Sequence, residues 1–158
     1  YNETIENSDL LRKVKVGPFT HVVDDGLENR KAAFECMYTL LETCSNQINI
    51  SDFIENLVRG LEDNSSDIKS MCHIMLEHLA QSNGTALVLV LDSVVEPLRT
   101  TLEKKPKESA VKQDKERYEE LVRSALRAIL VISQIPGSES CSKFNDFLNV
   151  TVKSGETG

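Results

Sequence analysis

Apolar residues recur every three or four positions along most of this chain, which is the spacing that places side chains on one face of an α-helix. In the segment 26–45, for example, this spacing puts Phe34, Met37 and Leu41 on a single stripe. Equivalent stripes predict further helices over about 51–61, 66–82, 85–102, 109–132 and 139–151. Each stripe can leave water only by packing against another stripe, so the pattern predicts an all-α fold of three antiparallel helix pairs.

Two interruptions are expected within these helices. Pro97 lies inside the predicted fourth helix, where its ring removes a backbone hydrogen bond, so we expect a kink there. The stretch 103–127 holds 8 basic and 6 acidic side chains, and its first part is rich in lysine and proline. We therefore expect a loop over 103–108, followed by a helix that begins near Ser109 and is longer than the others. The mixed charges suit a solvated surface better than a groove for phosphates.

An internal repeat relates three of the predicted helices. When they are aligned on Lys31, Lys69 and Arg123, the positions two, three and six residues further on are all apolar. We expect burial of these nine residues, Ala33, Phe34, Met37, Met71, Cys72, Met75, Ala125, Leu126 and Ile129. The anchors are 38 and 54 residues apart, a mean of 46, within the range of HEAT and armadillo repeats. The interpretation is a HEAT-type α-solenoid fragment, with an isolated helical bundle as the alternative.

Residues 1–24 depart from the helical pattern. They contain two runs of β-branched or aromatic residues, Val14–Val16 and Phe19–Val23, on either side of Gly17 and Pro18. These runs, and the alternation of lysine with valine in the first, predict a β-hairpin, with an irregular connection as the alternative. Proline is unfavourable at the second position of a two-residue turn, so we expect a wider loop. A hairpin without a sheet to join is marginally stable, so we expect it to rest on a partner.

No catalytic constellation is found in the sequence. It contains no nucleophile elbow, phosphate-binding loop, dinucleotide-binding glycine motif or zinc-protease motif. His73 and His78 are five residues apart and therefore do not share a helix face. We expect both, and His21, to be partly exposed structural residues. The sequence predicts a protein without catalysis, metal or cofactor, and an enzyme with an unrecognised site is the rival hypothesis.

Charge and hydropathy argue against two further classes of protein. The chain carries 18 basic and 25 acidic side chains, a net charge of −7, whereas a nucleic-acid binder needs a basic surface. No apolar run approaches the roughly 20 residues that span a bilayer. We therefore expect neither nucleic acid nor membrane among the partners.

The cysteines indicate a reducing compartment. The four of them, Cys36, Cys44, Cys72 and Cys141, include no C-x-x-C pair, and we expect small buried thiols. Five N-x-S/T sequons would also fit a secreted glycoprotein. Because no signal peptide is visible, we expect a location inside the cell.

Three stretches of the chain resemble a known family. They are VGPFTHVVDDGLENRKAAFECMYTLLETC, DSVVEPLRTTL and SAVKQDKERYEELVRSALRAI, and the likeness runs from about Leu10 to Ile135. These stretches are similar to the C-terminal end of the cullin-associated, neddylation-dissociated proteins, also called TATA-binding-protein-interacting proteins. The resemblance implies the last repeats of a long HEAT solenoid that wraps around an unneddylated cullin with its RING subunit.

The resemblance also implies a function and a site. Family members compete with the substrate adaptor and act as exchange factors for cullin–RING ubiquitin ligases, and a protruding hairpin occupies the adaptor site. The best match to that hairpin here is Leu10–Val23. The candidate cullin-binding residues are Lys13, Val14, Lys15, Val16, Phe19 and His21.

The sequence is accordingly divided into three regions. Residues 1–24 form a segment with a protruding N-terminal β-hairpin, 25–152 form HEAT-like helical repeats, and 153–158 form a disordered tail. The predicted function is a non-catalytic interaction module of the cytoplasm and nucleus. The alternatives are another helical-repeat scaffold, such as a transport receptor or phosphatase scaffold, and a module that binds TATA-binding protein.

Overall fold

Seven α-helices and one two-stranded antiparallel sheet form the regular structure of residues 1–155, which a computed structural model describes, with side chains up to Thr151. The strands are β1 (Leu11–Val16) and β2 (Phe19–Asp24). The helices are α1 (Leu27–Cys44), α2 (Ile50–Leu61), α3 (Ser66–Ser82), α4 (Gly84–Leu89), α5 (Leu91–Glu103), α6 (Lys112–Ser133) and α7 (Ser142–Gly155). Short 3-10 turns occupy Asn2–Thr4, Ser8–Leu10 and Ser138–Ser140.

The helices stack in two layers. In one layer α3 lies between α1 and α6, and in the other α5 lies between α2 and α7. One helix of each layer alternates along the chain, which defines three successive units, α1 with α2, α3 with α5, and α6 with α7. Each pair packs on the next in line, as in a solenoid. The predicted all-α, HEAT-type fragment of three helix pairs with an N-terminal hairpin is confirmed.

Burial follows the repeat alignment with one exception. Six of the nine aligned residues are buried, and Ala33 and Met71 are partly buried. Leu126, in contrast, is 41% exposed, so its predicted burial is wrong. In α6 the buried stripe runs through Ala125, Ala128, Ile129 and Ile132, and a residue one position after Ala125 is turned about 100° away from that stripe.

The predicted fourth helix is divided into two helices at a residue where the sequence predicted no break. The chain leaves helical geometry at Val90 (φ −118°, ψ 14°), which separates α4 from α5, whereas α5 continues through Pro97. Val94, Val95 and Leu98 are fully buried around that proline. Their packing outweighs the one backbone hydrogen bond that the proline ring removes, because tertiary burial supplies most of the stability of a helix.

The later boundaries also differ from the expected ones. The loop after α5 runs over 104–111, so α6 begins three residues after Ser109, although it is the longest helix described, as predicted. The last helix starts at Ser142, because residues 138–140 form a 3-10 turn, and it continues to Gly155. The remainder of the predicted disordered tail, 156–158, lies outside the described residues.

The N-terminal segment covers part of the outer side of α1. The turn Asn2–Thr4 packs against α1, and Thr4 is buried. On the uncovered part of this helix, Cys36 and Leu40 remain exposed. Residues 1–24 therefore leave part of the apolar surface of α1 exposed.

One histidine is buried between α3 and α6. His73 is fully inaccessible, and its Nδ1 lies 2.8 Å from the Ser124 hydroxyl. That hydroxyl donates to the carbonyl oxygen of Leu121, so it accepts from Nδ1–H. Burial, and to a smaller extent the Lys69 ammonium, lower the pKa of His73 to about 4. The predicted partial exposure is therefore wrong for His73, which lies on the apolar face of α3.

The other two histidines and three of the four cysteines lie at least partly at the surface. His78 is partly exposed, as expected, and contacts Tyr38 of α1, while His21 is exposed. The expected burial of the thiols holds only for Cys72. All four cysteines are free, and Cys36 is exposed to solvent because it lies on the polar side of α1.

Candidate functional site

A tight turn joins the two strands of the hairpin. Val16 pairs directly with Phe19, so only Gly17 and Pro18 form the connection. Gly17 has a positive φ of 61°, which two-residue type II′ hairpin turns place at their first position and glycine adopts without strain. In such a turn the second residue has negative φ and need not donate a backbone hydrogen bond, which suits Pro18. The wider loop expected from the sequence is therefore wrong.

The strand register divides the candidate residues between two faces of the hairpin. Val14 lies opposite His21, and Val16 lies opposite Phe19, so these four share one face, which we call the apolar face. The other face, which we call the basic face, holds Lys13, Lys15, Thr20 and Val22. The predicted alternation of valines and lysines thus agrees with the pairing.

Three apolar side chains of the hairpin are largely exposed to solvent, whereas Val14 is half-buried. Phe19 is 67% exposed, Val22 63% and Val16 59%, and neither strand packs extensively on a helix. Phe19 therefore does not pack into the core beside α1. Large exposed apolar side chains next to each other are typical of surfaces that bind another protein.

A buried arginine fixes the base of the hairpin to the helices. Arg30 of α1 is 2% exposed and donates two hydrogen bonds to Asp63, from Nε at 2.7 Å and from Nη2 at 3.2 Å. Its Nη2 also lies 2.9 Å from Oδ2 of Asp24, the last residue of β2. Hydrogen bonding to Asp63 and then to Asp24 raises the pKa of Arg30, so the guanidinium stays charged. One side chain thus ties the hairpin, α1 and the α2–α3 loop together.

A second ion pair lies at the surface of the same base. Arg12 of β1 binds Asp25 with both oxygens of the carboxylate, one at 2.8 Å. The hydrogen bond to Arg12 lowers the pKa of Asp25. Because both side chains are substantially exposed, water and salt screen this pair, and we attribute most of the anchoring to Arg30.

Sequence reasoning overlooked two residues of this site. Val22 belongs to the apolar run of β2, but only the pairing register shows that it faces outward beside the two lysines. Arg30 occupies the same stripe as Phe34, Met37 and Leu41, four residues before the first of them. A charged residue on an apolar stripe is the signal that could have identified a buried ion pair.

Neither a metal centre nor a membrane span was found within the described part of the chain. Among those residues, no three histidine, cysteine or carboxylate side chains come close enough together to hold a metal ion. None of the helices described is both long and apolar enough to cross a bilayer.

The fold and the hairpin define the class of this protein: it is a HEAT-type helical-repeat fragment that displays an exposed apolar hairpin at its N-terminal end. Residues 1–151 match the family described as TATA-binding protein interacting (TIP20). The chain therefore belongs to this family, and the resemblance seen in the sequence is confirmed.

Named relatives share most of the chain. It is 50% identical over 97% of its length to cullin-associated NEDD8-dissociated protein 1 of Dictyostelium discoideum and 48% identical over 94% to the protein of that name in Arabidopsis thaliana. It is 44% identical over 93% to cullin-associated NEDD8-dissociated protein 2 of Rattus norvegicus. The chain spans only 12% of the length of each of these relatives, and their names describe cullin-associated proteins and no enzyme.

Proposed function

We propose that this chain is a non-catalytic module that binds an unneddylated cullin and competes with the substrate adaptor for it. In this role it acts in cullin–RING ubiquitin ligase assembly and in the exchange of substrate receptors, in the cytoplasm and nucleus. The observation that carries the proposal is the exposed apolar hairpin tied to the helices by a buried arginine. The names of its relatives support the cullin as the partner.

The physical mechanism is competition for one surface. The stacked helices lie along the cullin while the hairpin covers the place where the adaptor docks, so both cannot bind at once. Phe19 is the anchor in this proposal, because it is the largest exposed apolar side chain beside the turn and aromatic residues dominate interface hot spots. The RING subunit remains on the cullin in this arrangement.

The basic face has a separate role in the proposal. Lys13 and Lys15 are exposed at the opposite side of β1 from the valines, where they meet an acidic patch at the rim of the interface. Rim charges act mainly on the association rate and its salt dependence, whereas a buried anchor acts on residence time. The contributions of the two faces can therefore be distinguished by measuring the association and dissociation rates separately.

The test is competition between the chain and an adaptor for a purified unmodified cullin. We expect Phe19→Ala to weaken the chain's competition about 30-fold, which corresponds to the roughly 2 kcal/mol of an interface hot spot. The control is Leu130→Ala, which truncates another exposed apolar residue, on α6, and leaves competition unchanged. Loss of thermal stability in Phe19→Ala with unchanged competition would contradict the proposal.

Replacing both lysines tests the basic face. Lys13→Ala combined with Lys15→Ala should slow association in low salt, change the dissociation rate little, and differ less from the unchanged chain as salt rises. Stopped-flow mixing with labelled cullin at several salt concentrations measures both rates. An effect on dissociation alone would show that the lysines are not at the rim.

The family description motivates a second candidate partner. Because the matched family is described as TATA-binding protein interacting, the same chain is a candidate binder of TATA-binding protein. A pull-down with immobilised chain and an equal mixture of cullin and TATA-binding protein distinguishes the two. Enrichment of TATA-binding protein without cullin would favour this second function.

A further inference from the structure

A cleft of about 580 Å³ lies between the α2–α3 loop, the end of α5 and the first half of α6. We call it the α5–α6 cleft. It lies on the same side of the stack as the hairpin base, since Asp63, which binds Arg30, also lines it. Four lysines line this cleft: Lys69, Lys104, Lys105 and Lys107.

The positive charge of the cleft is not compensated by its own carboxylates. Within the part of the chain that is described, no ion pair joins any of the four lysines to a carboxylate. Asp63 is already held by Arg30, and Glu96 lies within 3.7 Å of both Arg99 and Lys143. Glu62 is the third acidic residue of the lining. A local excess of cations is unusual in a chain whose net charge is −7.

Lys69 is the innermost of these cations. It is half-buried, and among the described residues its Nζ has one hydrogen-bond partner, the Thr101 hydroxyl at 3.5 Å. Burial lowers the pKa of Lys69 and the neighbouring Lys104 lowers it further, against the opposing effect of Asp63 and Glu62. An ammonium that is partly removed from water without a carboxylate is disfavoured, and an arriving anion relieves that cost.

The rest of the lining suits a peptide. Leu61, Pro106 and Leu121 offer apolar contact, and the threonine hydroxyl of Thr100 offers a hydrogen-bond partner. Nucleic acid is less favoured, because the overall negative charge of the chain repels a long phosphate backbone beyond the cleft. A short chain with carboxylates at intervals meets the lysines without that repulsion.

We infer that the α5–α6 cleft binds an acidic peptide segment of a partner protein, with one carboxylate against Lys69 and others against the loop lysines. This site is separate from the hairpin and does not depend on the identity of the hairpin's partner. Its contribution is electrostatic, and the half-buried pairing at Lys69 contributes more per charge than the exposed pairs.

The experiment measures fluorescence anisotropy of a labelled hexaglutamate peptide titrated with the 158-residue chain, with hexaglutamine as the neutral control. We expect saturable binding of hexaglutamate alone. Lys69→Gln, and separately Lys104→Gln with Lys107→Gln, should weaken it at least tenfold. Circular dichroism detects whether Lys69→Gln unfolds the chain. If it does, the variant with Lys104→Gln and Lys107→Gln, at two exposed loop residues, still tests the site.

The control variant carries the same change of net charge at a different place. Arg123→Gln combined with Arg127→Gln, at two exposed arginines of α6 that do not line the cleft, should change hexaglutamate binding less than twofold. An equal loss in this variant would show general attraction to positive charge and overturn the site. Absence of hexaglutamate binding, or tighter binding of a hexathymidylate oligonucleotide at the same lysines, would overturn it as well.

Discussion

Large apolar side chains are buried in the helical stack and exposed in the hairpin. Phe34 of α1 is completely buried among three helices, whereas Phe19 of β2 is 67% exposed. The free energy of unfolding therefore depends on the helical stack, while the hairpin keeps its shape through backbone pairing and one buried ion pair at its base. The helical stack supplies most of the stability and the hairpin supplies the contact surface. A substitution in one region should therefore affect one property and leave the other unchanged.

Truncating each phenylalanine tests this separation most severely. Phe34→Ala should reduce the free energy of unfolding by about 4 kcal/mol, because it removes a buried ring and leaves a cavity. Phe19→Ala should leave that free energy nearly unchanged. Chemical denaturation followed by circular dichroism measures both. Similar losses in the two variants would mean that the hairpin is part of the core.

Removing the buried arginine tests the link between the regions. Arg30→Met should lower the free energy of unfolding by about 3 kcal/mol, because Asp63 and Asp24 are then left without their cation in a poorly hydrated place. Arg12→Met, at the exposed pair, is the matched control and should have no measurable effect. If both variants behave alike, the anchoring does not depend on burial.

Acid should weaken the helical stack through His73. Its folded pKa of about 4 lies below the unfolded value of 6.5, so the unfolded chain binds the proton more readily. The stability associated with neutral His73 is present above pH 6.5 and is lost as pH falls toward 4. The loss should reach about 2 kcal/mol between pH 7 and pH 5.

His73→Gln isolates this contribution, because the amide is neutral throughout and can still bond Ser124. The difference in unfolding free energy between the unchanged chain and this variant should shrink as the pH falls. A constant difference would show that His73 does not titrate on unfolding in this range.

The smallest effect is expected at the hairpin turn. Gly17→Ala should destabilise strand pairing by about 1 kcal/mol, since alanine resists the positive φ found there. Backbone amides of β1 and β2 should exchange with solvent roughly fivefold faster, while amides of α3 stay unchanged. Faster exchange throughout the helices would show that the hairpin and the stack unfold together.

The sequence predicted the elements whose patterns are local. The stripes gave helix positions to within a few residues, and the alternation around Val14 and Val16 gave the hairpin faces. The break within the predicted fourth helix could not be predicted in this way. The chain leaves helical geometry at Val90 while α5 continues through Pro97, and the apolar stripe passes Leu87 and Leu91 without marking the break.

Buried polar groups were the other failure of sequence reasoning. His73 was expected at the surface and Arg30 was not noticed, because each needs a partner from a distant part of the chain, Ser124 in one case and Asp63 in the other. Pairings of this kind follow from the tertiary arrangement and not from spacing along one helix. The candidate contact residues of the hairpin remain predictions that the competition experiment tests.

The position of Arg30 matters because a small rotation at the base of the hairpin becomes a larger displacement at its tip. Six residues of strand extend roughly 20 Å at about 3.4 Å per residue, so a tilt of about 5° at the base displaces the tip by roughly 2 Å. A shift of that size is enough to misalign a phenylalanine ring with a complementary pocket. The carboxylate of Asp63, which holds Arg30 at the opposite end of the hairpin from the turn, therefore fixes the direction in which Phe19 points.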